Sequence, residues 1–273
     1  MLKYDSTVPL DMREYAVEES GGIRVHDICH ASPWSGRVPA CLVRPRTPGP
    51  HAGILFMHLG GSDRNAFPDE AISYARRSGR SAHRRTRSPP PGRALIEFTD
   101  SDRDVFIQVA VDLRRGVDLL SGQERVDPSR LGHVGSSYGA TLGAMLTSVE
   151  KLICAYVIAA GSARLRLFLD RWGGDLPEER LAAFLERMRF VDPVTHIGQA
   201  APEELLLQNG RKDEIVPDEQ AVALHRAASD PKTVRWYDAG HLLDDEARRD
   251  RFDWLAPRLR LTADTGEDPS GAA

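Results

Sequence analysis

Apolar residues fall along this chain in two patterns, short unbroken runs and positions spaced three or four apart. Gly53-Ile54-Leu55-Phe56-Met57 and Ala155–Ala160 are unbroken, as central parallel strands covered on both faces require. Ile23–Cys29 alternates apolar with polar residues, the mark of a half-buried strand. Val38–Val43 follows as a second early strand, closed by the turn-rich Arg44–Pro50. Arg130–Val134, Glu204–Gln208 and Thr233–Tyr237 read as later strands. Phe106, Val109, Leu113, Val117 and Leu120 recur at helical spacing and should face a sheet. Further helices are predicted from about Phe67 to Ser78, Pro217 to Ser229 and Asp244 to Leu259. Two polar helical stretches lie near Ala163–Arg171 and Pro177–Met188. Strands alternating with helices specify an α/β fold, a mostly parallel, doubly wound sheet with helices on both faces.

The pattern breaks once. Between the helix ending near Ser78 and the one starting near Asp102, a doubly wound sheet needs another buried strand. The chain offers Gly79–Arg93 there, rich in arginine and serine and carrying Pro89-Pro90-Pro91. Proline interrupts a ladder and unpaired guanidiniums resist burial, so a central strand around 79–93 is expected to be missing or disrupted. A basic surface loop, a disordered insertion and a segment translated out of frame all fit this composition. In the last case the frame resumes near Leu95–Phe98, and the short run Ala94–Phe98 partly substitutes for the lost strand.

Composition narrows the setting. The 273 residues are 41% hydrophobic and 28% charged, enough for one domain with a full core. A net charge of −4 gives no reason to expect nucleic acid or an anionic membrane as partner. Cys29, Cys41 and Cys154 are far apart, without metal-ligand spacing, and suit a reducing compartment. Met1–Asp5 lacks a signal-peptide run and no stretch is long enough to span a bilayer, so the expectation is a cytoplasmic protein. Residues 1–261 are read as a single domain with a helical insert at about 163–190, and 262–273 as a disordered tail.

The chemistry concentrates at Gly135-Ser136-Ser137-Tyr138-Gly139. A G-x-S-x-G between a buried strand and a helix packed through small residues is a nucleophile elbow, which exposes the serine hydroxyl at a sharp turn. A plain glycine-rich turn is the alternative. Ser137 is the candidate nucleophile, and a serine needs a base, an acid and an oxyanion site. His241, behind a glycine directly after the strand Thr233–Tyr237, is the candidate base. His58, His133 and His225 lie on a loop, a strand and a helix that suit the role less well. Asp213 follows the strand Glu204–Gln208 and is the candidate acid, with Glu214 its neighbour and competitor. A carboxylate that merely favours a helix N-terminus is the structural alternative for Asp213. The backbone N–H of Tyr138, with that of Leu59 or Gly60 in His58-Leu59-Gly60-Gly61, would form the oxyanion hole.

These motifs, with NGRKDEIVP at 209–217 and DAGH at 238–241, resemble those of the α/β-hydrolases from about Val38 to Trp254. Within that superfamily the chain is most similar to the dienelactone-hydrolase-like and acyl-peptidase-like serine esterases. The resemblance implies an α/β-hydrolase fold and hydrolysis of a small carboxylic ester, with no metal or organic cofactor. Two departures stand out. Dienelactone hydrolases carry cysteine where this chain has Ser137, and the segment 79–93 departs from the whole superfamily. The insert lies where such enzymes place a cap, so Leu165, Leu167, Phe168 and Trp172 either line an acyl site or pack within the insert. A peptidase or other acyl transferase on the same triad, an inactive product of a frame-shifted gene, and a binding module using the arginine-rich segment are the rival readings. The last has no aromatic residues interleaved with its arginines.

Overall fold

The computed structural model describes residues 1–63, 66–76, 79–84, 99, 101–167 and 177–261. Nine strands form one sheet among these residues. They are β1 (Arg13–Ser20), β2 (Ile23–Ala31), β3 (Arg37–Pro45), β4 (His51–Met57), β5 (Gly79–Arg84), β6 (Val126–Ser136), β7 (Ile153–Ala159), β8 (Glu204–Gly210) and β9 (Lys232–Tyr237). Their spatial order is β1-β2-β3-β5-β4-β6-β7-β8-β9. β1, β2, β3 and β5 pair antiparallel, and every pair from β5 to β9 is parallel. The helices are α1 (Pro68–Arg76), α2 (Ser101–Ser121), α3 (Tyr138–Leu146), α4 (Glu178–Met188), the single turn α5 (Pro193–His196), α6 (Asp218–Ala227) and α7 (Asp245–Leu259).

The unbroken apolar runs are divided between two cores by the two-residue period of a strand. On β4, Leu55 and Met57 join the core under α2 and α3, while Ile54 and Phe56 join the one under α1 and α7. β7 and β8 split in the same way, with Tyr156, Ile158, Leu205 and Leu207 on the first face and Ala155, Val157 and Leu206 on the second. The predicted stripe on α2 is buried throughout: Phe106, Val109, Leu113, Val117 and Leu120 are each at most 6% exposed.

The place that hydropathy leaves vacant is filled. β5 lies between β3 and β4, with Ala82 opposite Leu42 on one side and Leu55 on the other. The expectation of a missing central strand is therefore corrected. A ladder is built from backbone N–H and C=O groups, which any residue but proline supplies, and Gly79–Arg84 contains no proline. Pro89–Pro91, the run Ala94–Phe98 and the tail from 262 lie outside the described residues. β1 was not expected from the pattern, because all eight of its positions are exposed and no alternation marks it. No helix among the described residues is long and apolar enough to cross a membrane.

Candidate active site

β6 ends at Ser136 and α3 begins at Tyr138, so Ser137 alone makes the turn between them. Its backbone has φ 53° and ψ −108°, a region that L-residues other than glycine adopt only under strain. The Ser137 N–H donates to Ala159 O at the end of β7 (2.8 Å), which fixes the turn to the sheet. Both motif glycines are sterically required. A Cβ on Gly139 would sit 2.2 Å from Met57 O, and one on Gly135 would sit 2.2 Å from Gly139 O. The same close approach draws the end of β4 against the start of α3. It sets the loop carrying His58, Leu59 and Gly60 beside Tyr138, whose N–H lies in the first turn of a helix, where donors lack intrahelical acceptors.

The other two candidates come from the loops after β8 and β9. Gly210 closes β8, and a Cβ there would lie 2.3 Å from Ala239 O and 2.6 Å from Gly240 O. Arg211 N donates to Tyr237 O (2.8 Å) and Lys212 N to Ala239 O (3.0 Å), so the two loops run on as one continued ladder. Asp213 Oδ1 accepts from the N–H groups of Ile215 (2.8 Å) and Val216 (2.9 Å). His241 Nδ1 donates to the Asp213 carboxylate, 2.8 Å from Oδ2 and 3.0 Å from Oδ1. On the other side of the ring, Nε2 lies 2.8 Å from Ser137 Oγ. Glu214 is exposed and the imidazole turns to Asp213 instead.

Burial pushes the Asp213 carboxyl upward, but the hydrogen bond from His241 and the two backbone donors outweigh it and leave it below its ordinary value. The carboxylate stays ionised with its oxygens committed, and the imidazole is held in the tautomer that presents a free Nε2 to the serine. The arrangement can take a proton from a hydroxyl as that hydroxyl attacks a carbonyl.

The competing histidines are engaged elsewhere or sealed off. His225 Nε2 meets Asn209 Oδ1 at 2.9 Å, and Asn209 Nδ2 donates to Gly161 O, bracing the end of β8. Burial pulls His225 down to about 4. His58 Nδ1 turns back on Leu59 O (2.7 Å). His133 is fully buried under the elbow, with neither ring nitrogen partnered among the described residues.

A cleft of about 920 Å³ opens beside the elbow between α1 and α7, with Leu59, Phe67, Tyr74, Ser136, Leu242 and Phe252 among its walls. No described residue of the insert lines it. Leu165 is buried in the core that also holds Phe184, Met188 and Val191, and Leu167 in a small cluster with Val216 and Ala221, which favours the packing alternative for both. Phe168 and Trp172 lie outside the described residues. Asn209 and Gly210 stood in the sequence only as part of the motif at 209–217, with no role assigned, and the α1–α7 cleft went unread. Only the glycine immediately before the Arg211–Asp213 turn carried a signal.

Solved structures share this architecture at low sequence identity. An acetyl xylan esterase from a Thermoanaerobacterium species has a TM-score of 0.79 at 16% identity, over 95% of this chain and 90% of its own. An acetyl xylan esterase from a Paenibacillus species has 0.75 at 17%, over 92% and 89%. A cold-adapted esterase from an Arctic intertidal metagenomic library has 0.68 at 16%, over 89% and 97%. The shared fold is that of the α/β-hydrolases. Comparison with curated proteins by sequence returns no match. The profile of the prolyl oligopeptidase family covers residues 102–256, from α2 through the elbow and both loops into α7. That span contains Ser137, Asp213 and His241 and more than half of the sequence, so the chain belongs to the prolyl oligopeptidase family and is a serine hydrolase.

Proposed function

We propose that the protein hydrolyses small carboxylic esters through Ser137, His241 and Asp213 by way of an acyl-enzyme. The observation that carries this reading is the 2.8 Å contact from His241 Nε2 to Ser137 Oγ, continued at 2.8 Å from Nδ1 to Asp213. Ser137 Oγ attacks the carbonyl carbon while its proton passes to Nε2. Asp213 orients the ring and stabilises its charged form. The N–H of Tyr138 and that of Leu59 or Gly60 receive the oxyanion. The imidazolium protonates the departing alcohol, and water then attacks the acyl carbonyl with His241 again as base. Esters rank first because acetyl xylan esterases and another esterase are among the similar structures. The family description supports a second reading, cleavage of peptide bonds by the same groups.

The test pairs a fluorophosphonate probe with p-nitrophenyl acetate and a prolyl p-nitroanilide peptide, each against wild type and Ser137→Ala. Labelling and acetate release that vanish in the variant are expected. Faster turnover of the anilide than of the acetate moves the assignment to peptidase. A folded wild-type protein that neither labels nor turns over either substrate is an inactive product, and the proposal fails.

A further inference from the structure

A second cleft lies at the opposite edge of the sheet, where β2 begins, β3 ends and the chain approaches β6. It encloses about 520 Å³, and Arg24, Arg44, Arg46 and Arg125 line it together with His26 and Gln123. The stretch Leu131–Ser136 of β6 separates it from the elbow, about 17 Å at the usual rise of a strand.

The positive charges here are only partly matched. Glu19 alone serves two guanidiniums, bonding Arg24 Nε at 2.7 Å and Arg46 Nη1 at 2.9 Å. Arg44 donates to the neutral carboxamide of Gln123, and its Nε is buried with no partner. Arg125 has no side-chain ion pair among the described residues. Glu124 also lines the cleft and forms no ion pair there. His26 is 8% exposed, and its Nδ1 is tied to Glu14 Oε2 at 2.6 Å. The residue lines this cleft, and its Nε2 is buried with no partner. Guanidinium groups taken partly out of water without a counter-anion cost stability, as does a buried ring nitrogen with no partner. Burial accordingly holds the Arg44 guanidinium below its ordinary value, with Glu14 only partly offsetting it.

We propose that this cleft binds a phosphate-bearing small molecule, independently of the catalytic serine. The two guanidiniums that form no ion pair among the described residues, Arg44 and Arg125, match a doubly charged group, and their planar forks suit tetrahedral oxyanions. The volume exceeds what one phosphate fills and leaves room for a second phosphate or an organic group.

Calorimetric titration of the full chain with inorganic pyrophosphate and with ADP, at constant ionic strength, tests the assignment. Saturable binding at one site is expected with at least one of them, unchanged in Ser137→Ala and after fluorophosphonate labelling. ADP binding more tightly assigns the organic part to the cleft, and equal affinities assign the phosphates alone. Arg125→Ser, at an exposed position, should weaken binding about tenfold, and Arg44→Gln by at least as much. Glu124→Gln should tighten it by removing a like charge. Absence of saturable binding to wild type overturns the proposal, as does binding indifferent to Arg125→Ser or abolished by labelling of Ser137.

Discussion

Acid should destabilise this protein through His133, and His133→Leu should remove that part of its pH dependence. The imidazole is fully buried beneath the elbow, and burial lowers it from its ordinary 6.5 to about 3. Between these values the unfolded chain binds a proton that the folded chain refuses, so stability falls as the pH falls. The contribution is intact above pH 6.5 and is lost progressively from there toward pH 3. At about 1.4 kcal/mol per unit, two units of acidification below 6.5 remove about 3 kcal/mol, and the whole window about 5 kcal/mol. Near pH 7.5 the substitution exchanges two unpartnered ring nitrogens for an apolar side chain, a gain set against imperfect packing beside Tyr156. Urea unfolding followed by tryptophan fluorescence at pH 7.5, 6, 5 and 4.5 gives the difference between variant and wild type. That difference should move by about 3 kcal/mol in favour of the variant from pH 7.5 to 4.5. Carboxylates and the other histidines cancel, being common to both proteins. A difference constant to within about 0.5 kcal/mol across the range would refute the reasoning.

Three further outcomes are expected. Gly139→Ala places a methyl against Met57 O and should abolish fluorophosphonate labelling even in whatever fraction of the protein remains folded; full labelling would show that the β4–α3 approach is looser than described. Asp213→Asn should lower kcat for p-nitrophenyl acetate by about 10⁴-fold with unchanged circular dichroism, whereas Glu214→Gln should change it by less than about threefold. The reverse ranking would transfer the acid to Glu214. Ala82→Pro, in the middle of β5 with neighbours on both sides, should cost more than about 3 kcal/mol of stability or prevent folding. A tolerated proline there would return this segment to a surface loop.

Much of the molecule was legible because local physics and global role agree in it. A run such as Ile54-Leu55-Phe56-Met57 has only a doubly covered strand to occupy, and the α2 stripe has only a sheet to face. The elbow was readable because one short motif must satisfy the turn, the close packing and the chemistry together. Asp213 and His241, the proposed acid and base, were picked out by their places directly after strands, and the structure brings them together. β5 was not, since its pairing uses backbone groups that hydropathy does not register, and β1 was not, since it buries neither face. The insert left two readings open for another reason: apolar residues look alike in sequence whether they meet a substrate or their own neighbours, and Leu165 and Leu167 are both buried. The arginine cleft is assembled from residues a hundred positions apart in sequence, and no linear pattern announces it.

The three groups of the proposed triad are not equally anchored. Ser137 stands over β6, with strands on either flank, whereas His241 and Asp213 follow β9 and β8 at the outermost margin of the sheet, with β9 bonded on one side only. Since the loops after these strands are stitched to each other, Asp213 and His241 should drift as one piece when that margin frays, leaving Ser137 behind in an intact frame. Gentle heating would then silence turnover before the bulk of the molecule melts, and cooling would restore it.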